Sequence, residues 1–466
     1  MLAVQSTNFT ASILGPHHGI TVVYLLLLLM LRTLFCIDIK ITSGLASPSL
    51  VGTLRHHLFS RHFRERQTKQ IPRAHATATM KIEPFKINVP QSEIDALHTR
   101  LANTRWAPEL DNDDWTSGVN GTYLRELVTY WQSRFDWRAQ EAHINNFPQF
   151  LAEIDGIPIH FIHVRGKGPS PVPILLNHGW PWTFWDFKAV IAALADPAAH
   201  GGDPGDAFDV VVPSLPGFAF SGPLPRTGVG YVETADMWVK LMRELGYERF
   251  VTHGGDAGAF VSARLGHAHP DSIIGVHLSF PVLPGVPFGP DDQSRMTPEE
   301  RTLMEGQDRG QGAFIHVLIN ALDPQTLAWA VHDSPVGLAA WLLLRRRAWS
   351  DCRGDVETRF DKDTLLTHVS LYWLTNSFVS SELFCRASGF PQPMALANDI
   401  KPEISVPTAV AVLPKDLFYR PRSIFAAHSD LRQWTLFPSG GHFGAAEEPG
   451  LITEDIRSFV HPLRNG

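Results

Sequence analysis

At 466 residues the chain is long enough for one large core with an added layer or cap. Hydrophobic residues make up 44% and charged residues 19%, with a net charge of -7, an ordinary globular balance that gives no footing to a nucleic-acid partner. The three cysteines, Cys36, Cys352 and Cys385, supply neither a disulfide framework nor a metal-ligand spacing.

Residues 1–79 read as a variable leader. The run Ile20 to Leu31, ITVVYLLLLLML, is strongly apolar but shorter than the roughly 20 residues a bilayer span wants. The basic tract RHHLFSRHFRERQTKQIPR that follows has the composition of an organelle leader. Three readings stay open: targeting, a membrane anchor, or a disordered extension. Localisation is accordingly open between cytoplasm, membrane and organelle. His56, His57 and His62 in this leader make no recognised metal set, and Met80, before KIEPF, suits the start of the folded unit.

Residues 80–165 look like one module. KIEPFKINVP reads as a short strand or extended arm ending at proline. SEIDALHTRLANTRW places Ile94, Leu97 and Leu101 on one helical face, with Ser92 as a cap. YLRELVTYWQSRFDW is helical and rich in core aromatics, and FLAEIDGIPIHFIHV is a hairpin turning on Asp155-Gly156. Asn120-Gly121-Thr122 matches a glycosylation acceptor, for which chance is the better reading.

Residues 166–290 alternate strands and helices. PVPILLN, FDVVVP, FVT and IIGVHLSF read as strands; Phe184 to Leu194, ETADMWVKLMRELG (stopped by Gly246) and AFVSARLGHAHPD read as helices. That rhythm argues a mostly parallel sheet covered on both faces. From about Asp291 to Asn398 the alternation gives way to helical pieces, and residues 291–400 are expected to form an inserted cap. The strand PTAVAVLP and the closing WTLFPSGGHFGAAEEPGLITEDIRSFV return the chain to the core over residues 401–466.

The chemistry centres on 252-THGGDAGAF-260. Small residues packed around a sharp strand-to-helix turn expose the side chain at its apex, here Asp256, to the N–H groups that open the helix. The loop NHGWP is expected to bring the Trp180 N–H beside that of Ala257 as an oxyanion hole. His442, in the glycine-rich GGHFG, and Asp416, after the strand PTAVAVLP, complete the order nucleophile, acid, histidine, with Asp430 and Glu447 as lesser candidates for the acid. A carboxylate is ionised near neutral pH without a base, so it can attack an activated sp3 carbon and form an alkyl ester. Histidine then activates water against the ester carbonyl. Such chemistry opens epoxides or displaces halide.

These motifs, with RLANTRW, YLRELVTYWQSRFDWRAQEAHINNFPQF, LGHAHPDSIIGVHL and PQTLAWAVHDSPVGLAAW, resemble the microsomal-type epoxide hydrolase family of the α/β-hydrolase superfamily. The resemblance covers about residues 81–464. It implies an α/β-hydrolase fold with a helical cap and an N-terminal domain wrapping across the core. It also implies cofactor-independent opening of a small apolar epoxide by water to a vicinal diol. Asp256 would be the nucleophile, His442 the base, Asp416 its orienting acid, and Trp180 and Ala257 the oxyanion donors. Tryptophan usually follows the nucleophile in the family; here Ala257 does. Members include soluble and membrane-bound forms, and a homodimer is a family-level expectation.

The cap departs from the family pattern. Two cap tyrosines polarise the epoxide oxygen in the family. Phe314 and Cys385 stand at their places, and Leu383 replaces a usual arginine. Phe314 cannot donate, and Cys385 is a weak donor. Tyr372, His316 or a water are the substitutes the sequence offers. Low or altered activity, hydrolytic dehalogenation with halide donors from Trp180 or Asn177, and a ligand-binding pseudoenzyme are the competing readings.

Overall fold

The computed structural model describes residues 80–109, 111–283, 285–286, 294–305, 315–389, 403–417 and 419–464. The leader, including Ile20 to Leu31 and the three leader histidines, lies outside them, as does Phe314. Among the described residues no helix is long and apolar enough to cross a membrane.

The N-terminal part runs through strand β1 (Ile82–Phe85), helices α1 (Gln91–Ala102), α2 (Gly121–Ser133) and α3 (Trp137–Ile144), then the hairpin β2 (Gln149–Ile154) and β3 (Ile157–Val164). Asp155 and Gly156 take left-handed backbone angles, φ 54° and 76°, as a tight two-residue turn requires. Ile94, Leu97 and Leu101 are buried as their spacing predicts. The expected Ser92 cap is not used: the helix opens two residues earlier, at Gln91 behind Pro90, without a side-chain cap. Asn120 caps α2 by accepting from Tyr123 N, and its own amide donates to Asn112 O, so its side chain serves the fold.

The arm between β1 and α1 is clamped by polar pairs. Asn145 accepts from Ile87 N and donates to Ile87 O, and Glu141 accepts from Val89 N at 2.7 Å. These contacts satisfy backbone groups that strand pairing leaves open. Trp131 on α2 is buried, the kind of side chain whose truncation costs about 3–5 kcal/mol.

The core adds β4 (Val172–Asn177), α4 (Lys188–Ala195), β5 (Phe208–Pro213), α5 (Tyr231–Glu244), β6 (Phe250–Gly254), α6 (Asp256–Ala268) and β7 (Ile273–Leu278). With β8 (Ile404–Val412) and β9 (Ser429–Leu436) from later in the chain, the nine strands form one sheet in the order β1-β2-β3-β5-β4-β6-β7-β8-β9. The first three strands and the β3–β5 pair are antiparallel, and every other pair is parallel. Strands β5 and β6 are buried at every position, as covered parallel strands must be. Gly246 follows α5 with φ 88° and ends it.

Between β7 and β8 (Ile404–Val412) the chain is helical: α7 (Pro298–Glu305), α8 (Ile315–Leu322), α9 (Pro324–His332), α10 (Pro335–Trp349), α11 (Lys362–Leu374) and α12 (Phe378–Ala387). The stretch KDTLLTHVSLYWLTNSFVSSELF reads as one helical piece but is two, broken where Asn376 takes φ 52°. The N-terminal part meets the cap helices: Tyr130 donates to Asp363 at 3.0 Å, and the Arg347 guanidinium lies 4.2 Å over the ring of Trp115, in the loop before α2. Arg346 of α10 reaches the core through a buried, two-pronged pair with Asp186, at 2.7 and 3.0 Å. The chain closes with α13 (Arg422–His428), β9 (Ser429–Leu436), α14 (Gly444–Glu447) and α15 (Pro449–Val460). This is an α/β-hydrolase fold with a helical cap and an N-terminal extension.

Candidate active site

Asp256 stands at the turn from β6 into α6 with φ 49°, a left-handed conformation that costs a non-glycine residue free energy. The neighbouring chain must come close for this turn to form. A Cβ on Gly258 would lie 2.1 Å from Asn177 O, and one on Gly179 would lie 2.5 Å from Asp256 Oδ1. The glycines therefore serve the approach of three segments, and the strained residue is the aspartate itself.

The two oxygens of Asp256 face different partners. Oδ1 accepts from Trp180 N at 2.8 Å, and Oδ2 lies 3.2 Å from His442 Nε2. Burial alone would raise the carboxyl's pKa. The His442 imidazole and the N–H groups of Trp180 and Ala257 outweigh it and hold the carboxyl below its usual value. Both expected backbone donors thus converge on the Asp256 carboxylate.

His442 is fixed on every side. Its Nδ1 is 2.6 Å from Asp416 Oδ1, and its backbone N donates to Trp349 O at 2.8 Å. Its ring lies edge-on to Trp182, Phe280 and Trp349, with centroids 5.7, 5.2 and 5.3 Å away. Burial would depress the imidazole, but Asp416 and Asp256 hold its pKa up to about 10. Lys415 N donates to Gly440 O, tying the Asp416 loop to the histidine loop.

The other acid candidates have different work. Glu447 accepts from Asp351 N, Gly441 N and Phe443 N, so it braces the histidine loop from behind. Asp430 pairs with Arg432 on β9. Asn177 is spent beneath the elbow: its amide donates to Thr252 and Ser262 and accepts from the Trp238 indole. It is not free to hold a halide.

The comparisons with known proteins agree with this frame. The family described as Epoxide hydrolase N terminus matches residues 82–187, and the alpha/beta hydrolase fold family matches residues 172–301. Epoxide hydrolase 1 of Oryctolagus cuniculus is 34% identical over 406 residues, which is 81% of this chain and 88% of the relative. The chain belongs to the α/β-hydrolase-fold epoxide hydrolases. The solved epoxide hydrolase of Aspergillus niger is similar at 31% identity with a TM-score of 0.72, covering 83% of this chain and 97% of that one. The juvenile hormone epoxide hydrolase of the silkworm Bombyx mori is similar at 27% identity with a TM-score of 0.74, covering 83% and 95%.

The cap helices α12, α11 and α8 carry Cys385, Tyr372 and His316, the side chains that bear on proton donation. Cys385 on α12 is buried, and burial followed by the Glu382 and Asp256 charges pushes its thiol well above the usual value. Tyr372 on α11 is buried too, but its hydroxyl donates to Trp182 O at 2.9 Å, so its proton is committed to the backbone. His316 on α8 does turn inward: its ring lies parallel to Trp180 at 5.3 Å and against Trp349 at 4.5 Å. Among the described residues no group of three or more histidine, cysteine or acidic side chains is placed to hold a metal ion.

Sequence reasoning missed Trp349, whose carbonyl and ring both hold His442, and it missed Glu382. Trp349 gave no signal beyond its place at the end of an apolar helix. Glu382 gave one, the lone charged residue in FVSSELF.

Proposed function

We propose that the chain hydrolyses an epoxide to a vicinal diol through an alkyl ester on Asp256. The observation that carries this reading is the division of labour at the Asp256 carboxylate, one oxygen on the Trp180 N–H and the other beside His442. In the first half-reaction an Asp256 oxygen attacks an epoxide carbon, the C–O bond of the ring breaks, and the freed oxygen takes a proton from the cap side. In the second, water attacks the Asp256 carbonyl carbon while His442 takes its proton, and Trp180 and Ala257 N–H groups hold the charge on the tetrahedral oxygen. The intermediate collapses, the diol oxygen leaves with the proton on His442, and Asp256 reionises. Asp416 keeps the His442 proton on Nδ1 and stabilises the imidazolium.

The test is isotopic. Single turnover of a small aryl or alkyl epoxide in H2-18O should place the label in the Asp256 carboxylate, read by mass of the peptide that contains it. Label found only in the diol would mean direct attack of water on the epoxide and would discard the ester.

Halide displacement by the same set remains the second reading on one observation. The Trp182 indole N–H is buried with no partner among the described residues. Halide release from an alkyl halide, at a rate matching epoxide turnover, would favour it.

A further inference from the structure

Ring opening leaves charge on the departing oxygen, and the cap positions that resemblance assigns to tyrosine offer a cysteine and a phenylalanine. We propose that Glu382, one helical turn before Cys385 on α12 and beside the Trp180 indole, donates the hydrogen bond and then the proton that the epoxide oxygen takes as Asp256 attacks. This rests on the ester reading above.

The side chain is built as a donor in waiting. Glu382 is fully buried, and neither carboxyl oxygen makes a well-aligned hydrogen bond among the described residues, with only the Trp180 indole turned toward it. A buried carboxylate so poorly partnered is too costly to persist, so the group is a carboxylic acid that keeps an O–H to give. Burial pushes its pKa well above the usual value, against a weaker pull from Arg345 and the Trp180 indole. Those two neighbours favour the anion, so they receive the charge once the proton has left.

Its position suits the task. Residues three apart on a helix share a face, which sets Glu382 over the same side of α12 as Cys385. The Cys385 thiol feels the charges of both Glu382 and Asp256, so both carboxyl groups lie within electrostatic reach of this face of α12. Trp180 links them from the core side, with its backbone N–H on Asp256 and its indole toward Glu382. Tyr372 cannot serve in this place while it donates to Trp182 O.

The protons balance. Glu382 gives its proton to the ring oxygen as the C–O bond breaks and becomes a carboxylate. After alkylation His442 loses its resting proton to solvent and regains one when Asp256 is a carboxylate again; in between, one water proton passes through the neutral His442 to the leaving diol oxygen. The other is released when Asp256 reionises and restores Glu382.

The experiment separates the half-reactions in the full chain. Rapid-quench mass measurements on a styrene-oxide-type epoxide follow ester formation and decay in the unmutated protein, Glu382→Gln and His316→Ala. We expect Glu382→Gln to slow ester formation at least 100-fold while the ester, once formed, decays at the unmutated rate. A general structural loss would change both steps. Ester formation at the unmutated rate in Glu382→Gln overturns the proposal, and a selective loss in His316→Ala instead would assign the proton to His316. Should Glu382→Gln fail to fold, infrared difference spectra of the unmutated protein decide. A carboxylic-acid C=O band that shifts in D2O should bleach as the ester forms and return on hydrolysis; no such bleach overturns the proposal. Absence of any ester in the unmutated protein is the failure of the ester reading itself, recognisable because it precedes every variant.

Discussion

Asp256 Oδ2 and His442 Nε2 stand 3.2 Å apart, and that contact lets one histidine behave differently in the two half-reactions. In the free protein His442 lies between two carboxylates, and its pKa is held up to about 10. Alkylation turns Asp256 into a neutral ester. One of the two carboxylates that support the imidazolium is lost, and its pKa falls toward the range of a general base.

His442→Gln should therefore separate the steps. Ester formation needs no base and should survive, whereas ester hydrolysis should fall about 1,000-fold, within the range lost with a general base. Intact mass would show the protein gaining the mass of one epoxide and keeping it. Normal turnover in this variant would remove His442 from the water step.

The same contact predicts a pH profile for the isolated ester. Its decay should speed up as pH rises and level off once the imidazole is neutral, at a midpoint below the value of about 10 held in the free protein. Quenched-flow measurement of ester decay between pH 5 and 10 checks this, and a rate flat across that range would mean that no titrating base is involved.

Cys385→Tyr returns a phenol to the cap. The position is buried, so the larger side chain should cost about 1–3 kcal/mol of stability, read as a lower melting temperature. Ester formation should accelerate, and the loss caused by Glu382→Gln should shrink in this background, because a second O–H then reaches the same oxygen. Equal losses in both backgrounds would mean that the tyrosine and Glu382 do not share a target.

Asp256, His442 and Asp416 were visible in the sequence for a local reason. Each follows a strand or sits among glycines, and such short signals survive without knowledge of the fold. The alternation of strands and helices, and the helical insertion after it, were visible for the same reason. What stayed hidden joins segments far apart. Arg346 meets Asp186 across 160 residues, and Glu447 meets Asp351 across 96. No periodicity encodes such meetings. Asn177 and Tyr372 show the converse: both residue types suit the chemistry, and both are already occupied by partners that only the packed structure supplies.

Glu447 is a scaffold rather than an acid, and Glu447→Gln should show it. The carboxylate accepts three backbone N–H groups, and an amide keeps only one acceptor oxygen while turning an NH2 toward a donor. Stability should drop by about 1–3 kcal/mol. Ester hydrolysis should slow with it, since Gly441 and Phe443 flank His442, while ester formation changes less. An unchanged melting temperature and hydrolysis rate would refute this bracing role.

His178 sets an acid limit. Its Nε2 accepts from Leu215 N at 3.0 Å and its Nδ1 faces Gly179 O, so the neutral ring holds the loop that carries Trp180. Burial lowers its pKa to about 4, and burial also lowers that of His160, in the seam between β3 and β5, to about 3. A histidine whose folded pKa is depressed binds more protons when unfolded, so stability falls as pH drops below about 6.5 and the loss is complete only below the folded value. For His178 the full loss is roughly 3 kcal/mol, at about 1.4 kcal/mol per pH unit. Urea unfolding between pH 6 and 4 should therefore become easier, and His178→Asn, less stable at pH 7, should show a slope shallower by about one proton. Parallel slopes for the two proteins would mean that His178 is not the group taking up that proton.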